Sequence, residues 1–530
     1  MPQYDGQFVS SARDDFTYSF TKGGRHTAKL GAEYLHTKTD DFRCQRCEGE
    51  LTADLGPIPV PVETLFPDLY DPSTWNWAPL SPISVRWRHQ VGSARAIIPR
   101  HQIGAWVQDD WAIVPRLTLN LGLRYDLERN AFGNDIGLGR FLPANRPNDK
   151  NNVGPRLGFS FSQSNRTVIR GGYGLYFATV VTSVNAPRYR NTQQIATPND
   201  GRPDFASNPF NGPRPTFEDV KARECTLALA PGCIRPEAPT AGPVYGPDFV
   251  MPYSHQASVG LQRQVGPTMA IEADYVYTGT RGRQDDLPLN VAYNPATGAN
   301  YPFTDISRRP IPDWGYISLT VNGSRSNYHA LQTSFTKRFR GGWQASGTYT
   351  LAAMRDARPR PLQWDGTRFA PVPFPTAPDL GGEYGFAIGD QRHRATFNGV
   401  WQLRYGFQLS GVYFFGSGQR LHTNWGSDLR GLGSLRPNEL RLRPDGTIVP
   451  RNSFAGKPLH RVDLRLQRRF PLGGRAGIDG ILEVFNAFNH ANYGSYITRE
   501  DNRNYGQPQQ SADVTTYGPR TMQLGFRFVF

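Results

Sequence analysis

Hydrophobic and polar residues alternate with a period of two along most of the chain. In residues 117–127 every odd position is Leu or Tyr, and the positions between them are Thr, Asn, Gly, Arg and Asp. This alternation puts apolar side chains on one face of a β-strand and polar side chains on the other. The run covers 11 residues, whereas strands of soluble proteins usually have about five or six. Its length fits the roughly 9–11 residues of a tilted strand that crosses a membrane.

This stretch is one arm of a hairpin, and the sequence predicts seven such hairpins. Each consists of two alternating strands joined by a short turn. The predicted turns fall at residues 22–25, 112–116, 164–166, 266–267, 341–342, 405–406 and 471–474. The pattern also predicts a short strand around residues 83–87 and a further separate strand around residues 317–321.

Long polar stretches separate the hairpins, and the one from 178 to 252 has about 75 residues. Loops of this length are unusual inside compact soluble domains. They are expected on the outer side of outer-membrane barrels, whose periplasmic turns are short. The sequence therefore predicts an all-β fold: a large antiparallel transmembrane β-barrel with short periplasmic turns, long extracellular loops and about 15–18 visible strands.

The chain ends on an alternating strand, residues 521–530. One face of this strand carries Met522, Leu524, Phe526, Phe528 and Phe530. An apolar strand at a chain end invites aggregation in water, but a membrane barrel needs such a strand to complete its sheet. We therefore predict that residues 521–530 close the barrel and run inward from the long loop 489–520.

The hairpins and the last strand give an odd number of about fifteen strands, whereas bacterial barrels of this type have even numbers. Residues 1–6 also lack the basic and apolar regions of a signal peptide. We therefore expect residues 1–530 to be one barrel domain that is N-terminally incomplete. One or two undetected strands in the loops would also restore an even number.

Composition agrees with strands that cross a membrane. Mean hydropathy is -0.53 and aromatic residues make up 12% of the chain, while no run reaches the roughly 18 apolar residues of a membrane helix. The net charge is +14, which could indicate nucleic acid or anionic lipid as a partner. Because the arginines are scattered through predicted strands, we favour polar strand faces and loops as their place and expect no nucleic-acid binding.

The cysteines form two close pairs, Cys44 with Cys47 and Cys225 with Cys233. Each pair lies in a stretch that is rich in Pro, Gly or charge, and we predict a local disulfide in each. A zinc site would need four ligands that come together, which the distance between the pairs and the lack of nearby histidines disfavour.

Catalytic patterns are missing from the sequence: neither Gly-x-Ser-x-Gly, His-Glu-x-x-His nor a phosphate-binding loop occurs. A carboxylate cluster near one hairpin could serve metal or proton chemistry, but wet lumens and strand ends need such residues too, and we favour that interpretation. The cluster consists of Asp109, Asp110, Asp126 and Glu128. We interpret His393 as a solvated residue at the outer rim, and we predict no enzyme activity, cofactor or metal.

Aromatic residues recur near predicted strand ends. Ligand stacking would explain them, but we favour aromatic girdles, which lie where strands cross the headgroup layers of a membrane. The residues are Trp106, Trp111, Trp343, Trp401, Tyr125, Tyr275, Tyr277, Tyr349 and Tyr413.

Several motifs resemble those of TonB-dependent outer-membrane receptors, most of all the large Oar-like receptors with a carboxypeptidase-regulatory-like N-terminal domain. The matching motifs are residues 104–111, 115–125, 155–159, 170–174 and 483–489. The resemblance covers about residues 12–530. It implies a barrel of 22–26 strands, an internal plug and a TonB box, and residues 1–530 contain nothing that matches the plug, the TonB box or the regulatory-like domain.

The resemblance also implies location in the bacterial outer membrane and a role as receptor or transporter of an unknown bulky solute. Expected partners are outer-membrane lipid, lipopolysaccharide and the barrel-assembly machinery, for which Phe526, Phe528 and Phe530 would form the recognition signal. TonB would act only through a region outside residues 1–530, and a monomeric barrel is expected. An adhesion or surface-display barrel whose loops bind a partner is the alternative, and a secreted soluble β-protein is a third interpretation.

Overall fold

The computed structural model describes residues 3–44, 46–137, 141–179, 191–223, 241–294, 300–301, 305–312, 317–364, 369–372, 381–430, 440–474, 476–509 and 515–530. Within them, fifteen long strands form an antiparallel meander in which each strand pairs with the next along the chain. These strands are β1 (Gln3–Thr21), β2 (Arg25–Arg43), β5 (Arg95–Val114), β6 (Leu117–Arg129), β7 (Asn152–Ser164), β8 (Thr167–Phe177), β11 (Tyr253–Val265), β12 (Met269–Pro288), β13 (Ile317–Arg340), β14 (Trp343–Ala357), β18 (His393–Gln402), β19 (Phe407–Gly416), β22 (Leu459–Gly473), β23 (Ala476–Phe485) and β26 (Thr521–Val529).

Shorter elements lie in the long connections. Two of the short strands extend the main sheet to 17 strands, namely β10 (Ala241–Tyr245), which pairs in parallel with β13, and β17 (Tyr384–Phe386), which pairs with β14. The others are β3 (Glu50–Ala53), β4 (Ser84–Ser93), β9 (Asn191–Pro198), β15 (Leu362–Trp364), β16 (Phe369–Pro371), β20 (Arg420–Leu421), β21 (Phe454–Ala455), β24 (Asn492–Tyr493) and β25 (Thr515–Tyr517). Among the described residues, the α-helices are α1 (Val62–Leu65) and α2 (Phe217–Ala222), and the 3₁₀ turns are Pro72–Thr74, Ala78–Ile83, Ile306–Arg308 and Arg404–Gly406. Nowhere in the described ranges does a helix have the length and apolar character needed to cross a membrane.

The predicted all-β architecture and the expected range of visible strands are confirmed. The short strand predicted near residues 83–87 is β4. The separate strand predicted at 317–321 is wrong, because these residues are the first part of the 24-residue β13. Their pairing with β12 continues through the polar residues that follow, so no turn interrupts the strand.

The seven hairpin turns lie at one end of the sheet and the long connections at the other. Glycines in the left-handed region make several of these turns, as at Gly341 (φ 67°) and Gly342 (φ 83°), where a side chain would be strained. From this turn, the ladder between β13 and β14 runs from the pair Arg340–Trp343 to the pair Arg325–Ala357. Short turns and long loops therefore segregate as an outer-membrane barrel requires.

The two faces of the sheet differ as the alternation predicts. Large apolar side chains stand exposed on one face, such as Val107 (54%) and Val259 (51%). In water such a continuous apolar surface would be an aggregation site, but lipid solvates it well. We call this the apolar face and the opposite one the polar face.

β1 and β26 form the edges of the sheet. β1 pairs along its whole length with β2, and β26 pairs with β23. No pairing joins β1 to β26 within the described ranges. Because fifteen strands alternate in direction, these two edge strands run the same way.

The long connections build a packed layer beyond the loop end of the sheet. Its largest apolar cluster includes Phe132, Leu142, Tyr245 and Leu289, all nearly inaccessible to solvent. A second cluster joins Leu65 of α1 to Leu80 and Ala206. We call this the outer layer, and it holds most of the fully buried apolar side chains that the structure describes.

Candidate functional site

An arginine on the polar face reaches across a whole strand to a carboxylate. The guanidinium of Arg124 on β6 donates to Glu33 on β2 and to Asp126, which lies 2.8 Å away. Strand β5 runs between them, and Gly104 is its residue at the crossing point. A Cβ on Gly104 would stand 2.6 Å from the Arg124 guanidinium, so a side chain here would displace the bridge. Arg13 on β1 lies 3.7 Å from Glu33 and extends the cluster.

The same arrangement, an arginine that reaches over a glycine to a carboxylate, recurs four strands further along the sheet. Arg170 on β8 lies 3.1 Å from Asp274 on β12 and also contacts Glu272. Gly260 of β11 lies between them, because it pairs with Arg170 on one side and Asp274 on the other. A Cβ there would meet the Asp274 carboxylate. Two arginines thus tie alternate strands together over glycines.

Other ion pairs on the polar face join residues of neighbouring strands. Lys29 lies 2.9 Å from Asp110, Arg465 lies 3.5 Å from Glu483, and Arg527 Nε lies 2.9 Å from Asp479. Asn120 also donates to Asp110. The polar face therefore presents fixed charges of both signs from β1 to β26, which suits an aqueous lumen.

The carboxylate cluster considered for chemistry does not assemble into one site. Asp110 and Asp126 are held by Lys29 and Arg124 on the polar face. Asp109 lies on the apolar face at the turn end, where its carboxylate lies 2.7 Å from Nδ1 of His26. In the part of the chain that the structure describes, no group of three or more His, Cys, Asp or Glu side chains is arranged to hold a metal ion.

Trp106 departs from the predicted aromatic girdle. It pairs with Gly31 on the polar face, and the guanidinium carbons of Arg13 and Arg124 lie 4.9 and 5.2 Å from its ring centroid. Adjacent residues of a strand point to opposite faces. Because Val107 lies on the apolar face, position 106 lies on the polar face. Trp106 therefore belongs to the ionic cluster over Gly104, not to the lipid interface.

The remaining aromatic residues separate by type along the apolar face. Trp111, Trp343 and Trp401 lie at the turn end, next to the hairpin turns. The tyrosines lie six to eight residues beyond the turn-end residue of their strands: Tyr125, Tyr275, Tyr277, Tyr349 and Tyr413. Aromatic belts of this kind mark where a barrel passes the two membrane interfaces.

Five tyrosines on the apolar face make one repeated contact with a histidine of the next strand. In every case the hydroxyl group lies 2.7–3.1 Å from the histidine Nδ1. The tyrosine pairs in register with the residue two positions after the histidine. The pairs are Tyr34–His101, Tyr173–His255, Tyr275–His329, Tyr349–His393 and Tyr413–His460.

These Tyr–His pairs revise the interpretation of His393 as merely solvated, because its ring is fixed by Tyr349. The sequence carried a usable signal: each of the five strands contains a histidine on its apolar face. Whether each histidine contacts a tyrosine depends on the register between neighbouring strands, which a single sequence does not show.

Ion pairs also fasten the outer layer to the strand ends. Asp356 lies 2.7 Å from Arg451 and 3.3 Å from Arg283. Arg443 makes two hydrogen bonds to Glu500, at 2.6 and 3.0 Å, and this contact raises the pKa of Arg443 above its ordinary value. The loops that carry these residues are therefore held in place by both charge and apolar packing.

A buried histidine also lies in the outer layer. His89 of β4 is buried beside Phe210. Burial lowers the pKa of His89, and the Arg214 cation lowers it further, while Glu48 opposes the shift. The folded layer therefore favours the neutral form of this imidazole.

The remaining predicted site residues fall in different places. Cys44 and Cys47 are joined by a disulfide with a Cα–Cα distance of 5.5 Å, whereas Cys225 and Cys233 lie outside the described residues. Phe526, Phe528 and Phe530 project from the last strand with at least two thirds of each side chain exposed. Recognition of these three residues by an assembly machine stays a prediction.

The chain is similar to known proteins in both sequence and structure. The family described as "Outer membrane beta barrel domain" matches residues 2–523. The TonB-dependent transporter Oar of Myxococcus xanthus is 22% identical over 435 residues, which cover 76% of this chain and 38% of the transporter. A ferric enterobactin receptor mutant of Pseudomonas aeruginosa in complex with enterobactin superimposes with a TM-score of 0.51 at 11% identity, over 98% of this chain and 54% of the receptor.

The outer membrane transporter YddB from Escherichia coli has a TM-score of 0.49 at 12% identity, over 99% of this chain and 53% of that chain. The chain therefore spans 38% of its curated relative and about half of each of these two solved structures. At 11% identity, the superposition with the enterobactin receptor shows the fold alone.

Proposed function

Because the chain belongs to the outer membrane β-barrel domain family, we propose that it forms the wall of a TonB-dependent transporter that moves a bulky solute across the outer membrane. The barrel lies in the bacterial outer membrane. The resemblance to the transporter Oar supports the proposal, and energy would come from TonB acting on the whole protein.

The observation that carries the proposal is the charged polar face. Arg124 and Arg170 each reach across an intervening strand to carboxylates. A face that carries such charges is stable in contact with water but not in contact with lipid. Ionic bridges over glycine also keep the wall smooth, since the bridging side chains lie along the sheet. A polar solute would meet a surface with charges of both signs.

The experiment compares solute use in the native bacterium. Wild-type cells, a strain lacking this protein and a strain lacking TonB are grown in complex medium, and the compounds that remain are measured by mass spectrometry. We expect the two deletion strains to leave at least one common compound that the wild type consumes. Full depletion by the strain that lacks this protein would contradict transport.

A surface-binding role is the second candidate, and the outer layer favours it. The long connections form a folded layer around Phe132, Tyr245 and Leu289, which could present a fixed binding surface. A strain that still depletes the medium but no longer attaches to surfaces or cells would support adhesion instead. Replacing only the outer-layer side chains, with the polar face intact, separates the two functions.

A further inference from the structure

We propose that His36 on β2 and His101 on β5 form a binding site for a divalent transition metal ion such as Zn²⁺. The two residues lie directly opposite each other in the ladder between these strands, on the apolar face. A bound ion would fasten β2 to β5 ahead of the long connection 44–94 that joins them. The inference rests on the pairing of two strands and not on transport, so it can fail independently of the proposed function.

The imidazole rings of His36 and His101 are already in contact. Their centroids are 4.6 Å apart and their planes are tilted by 38°. Two nitrogens that bind one zinc ion at about 2.0–2.1 Å can be at most about 4.2 Å apart. Small side-chain rotations bring one nitrogen of each ring within this limit, so the backbone need not move. Only the register brings the two residues together, which is why the sequence predicted no metal.

Tyr34 fixes the ring of His101. Its hydroxyl group lies 2.8 Å from Nδ1 of His101. In the tautomer in which Nδ1–H donates to the hydroxyl oxygen, Nε2 carries the lone pair that a metal ion needs. Histidines that bind metal ions usually donate their other ring nitrogen to an oxygen or water in this way. Tyr34 is therefore a positioning residue for the site.

His36 contributes a ring nitrogen whose hydrogen-bonding capacity is unused. Its Nδ1 is buried and has no hydrogen-bond partner among the residues that the structure describes. A buried polar atom without a partner costs free energy, because it has given up its contact with water. Coordination of an ion by this nitrogen would recover that free energy.

The other four Tyr–His pairs show that this position does not require a histidine. In each of them an apolar or aromatic residue lies opposite the histidine: Leu175, Tyr277, Leu351 and Phe415. Such side chains suit a face that lipid covers, whereas a second imidazole does not improve the contact with lipid. His36 therefore has a role that its four counterparts do not have.

Strand geometry places the two histidines at the outer edge of the apolar band. His36 lies ten residues beyond His26, which pairs with Trp111 at the turn end, and His101 lies ten residues before Trp111. Ten residues rise roughly 23–28 Å along the membrane normal for a tilt of about 35–45°. The apolar band of such barrels is about 25 Å tall. With Trp111 at the inner rim, ions in the external water can reach both rings.

The chemistry of the pair selects the ion. Imidazole suits Zn²⁺, Ni²⁺ and Cu²⁺, whereas Mg²⁺ and Ca²⁺ prefer oxygen ligands. Lys38 and Arg129 lie on the same face beside the pair, so charge does not attract a cation here and binding depends on coordination bonds. Water would complete the coordination shell, because no described cluster of three or more His, Cys, Asp or Glu side chains includes the pair.

The test is a zinc titration of the full chain, purified in detergent without a histidine tag. Binding is measured by isothermal titration calorimetry, and Mg²⁺ serves as the comparison ion. His36→Leu removes one ligand and introduces the side chain that two of the other pairs carry at this place, so the barrel should still fold. Heat-modifiable gel mobility of every variant shows whether it has folded.

Another Tyr–His pair supplies the matched controls. His393→Leu removes a histidine that faces Leu351 and not a second histidine, so zinc binding should stay at the wild-type level. Leu351→His places a second imidazole opposite His393 and should add a second zinc ion per chain. Leu351 is 38% exposed, which leaves room for the new side chain.

We expect His36→Leu to lose the zinc ion at concentrations that saturate the wild type. Tyr34→Phe should keep the site but bind about tenfold more weakly, as is typical when the partner of a metal-bound histidine is removed. Added salt should not weaken binding, because the site is not built on charge. Equal zinc binding by the wild type and His36→Leu would overturn the proposal. Equally strong competition by Mg²⁺ would also overturn it, in favour of a site with oxygen ligands.

Discussion

Arg170 lies 3.1 Å from Asp274 although a complete strand runs between their own strands. The contact exists because Gly260, the intervening residue on this face, has no side chain to block it. In a membrane barrel such a bridge couples alternate strands in addition to their neighbours. It also places charge where only water can solvate it, which assigns this face to the lumen.

The first prediction concerns that glycine. Gly260→Ala would place a Cβ against the Asp274 carboxylate and should break the bridge, at a cost of about 1 kcal/mol. The temperature at which the folded gel band converts to the unfolded band should fall. Gly122→Ala is the control, because a Cβ at this position on the same face has its nearest neighbour at 3.6 Å. An equal change in both variants would contradict the bridging role.

The second prediction concerns the apolar packing of the outer layer. Phe132 lies 5.0 Å from Tyr245 and 4.9 Å from Phe249, ring centre to ring centre. Phe132→Ala should destabilise the layer by roughly 3–5 kcal/mol, through lost burial and a new cavity. Protease added to intact cells should then cleave the loops faster.

Tyr70→Ala provides the comparison for this experiment. Tyr70 belongs to the same layer but is 97% exposed, so its removal should leave the cleavage rate unchanged. If Phe132→Ala were also cleaved at the wild-type rate, the outer layer would not be a packed structure.

The third prediction is a pH effect. The pKa of His89 is lowered by burial and by Arg214, so protonation favours the unfolded layer. Stability is therefore present above the ordinary pKa of about 6.5 and is lost as pH falls from that value through the lower pKa of the folded state. Loop proteolysis should accelerate between pH 7.5 and 5.

His89→Phe removes the titrating group but keeps a ring beside Phe210. This variant should show a weaker acceleration in acid than the wild type does. An identical pH dependence in the two proteins would assign the effect to other groups.

Much of this architecture follows from the sequence because the period-two pattern is local. The pattern located all seven hairpins, the last strand and the long loops. It could not give the register between strands, and so the passage of Arg124 over Gly104 and the repeated Tyr–His pairs were not predicted. Trp106 was misplaced for another reason: its residue type suggested a girdle, while its position in the alternation already placed it on the polar face.

The N-terminal part of β13 shows a further limit of local reasoning. Residues 317–321 were predicted as a separate strand, since the polar residues that follow interrupt the apolar pattern. The ladder continues through them because β12 pairs with them along its whole length, with a bulge between Thr280 and Gln284. Long-range pairing decides where such a strand begins.

The assignment of the two faces to lipid and water is the central claim, and adjacent residues of β11 test it most directly. Ser258 is exposed on the polar face, and Val259 is 51% exposed on the apolar face. Ser258→Cys and Val259→Cys are labelled with a small fluorophore in outer-membrane vesicles that contain nitroxide groups on the lipid acyl chains. We predict strong quenching at position 259 and little at position 258, and equal quenching at the two positions would contradict the assignment.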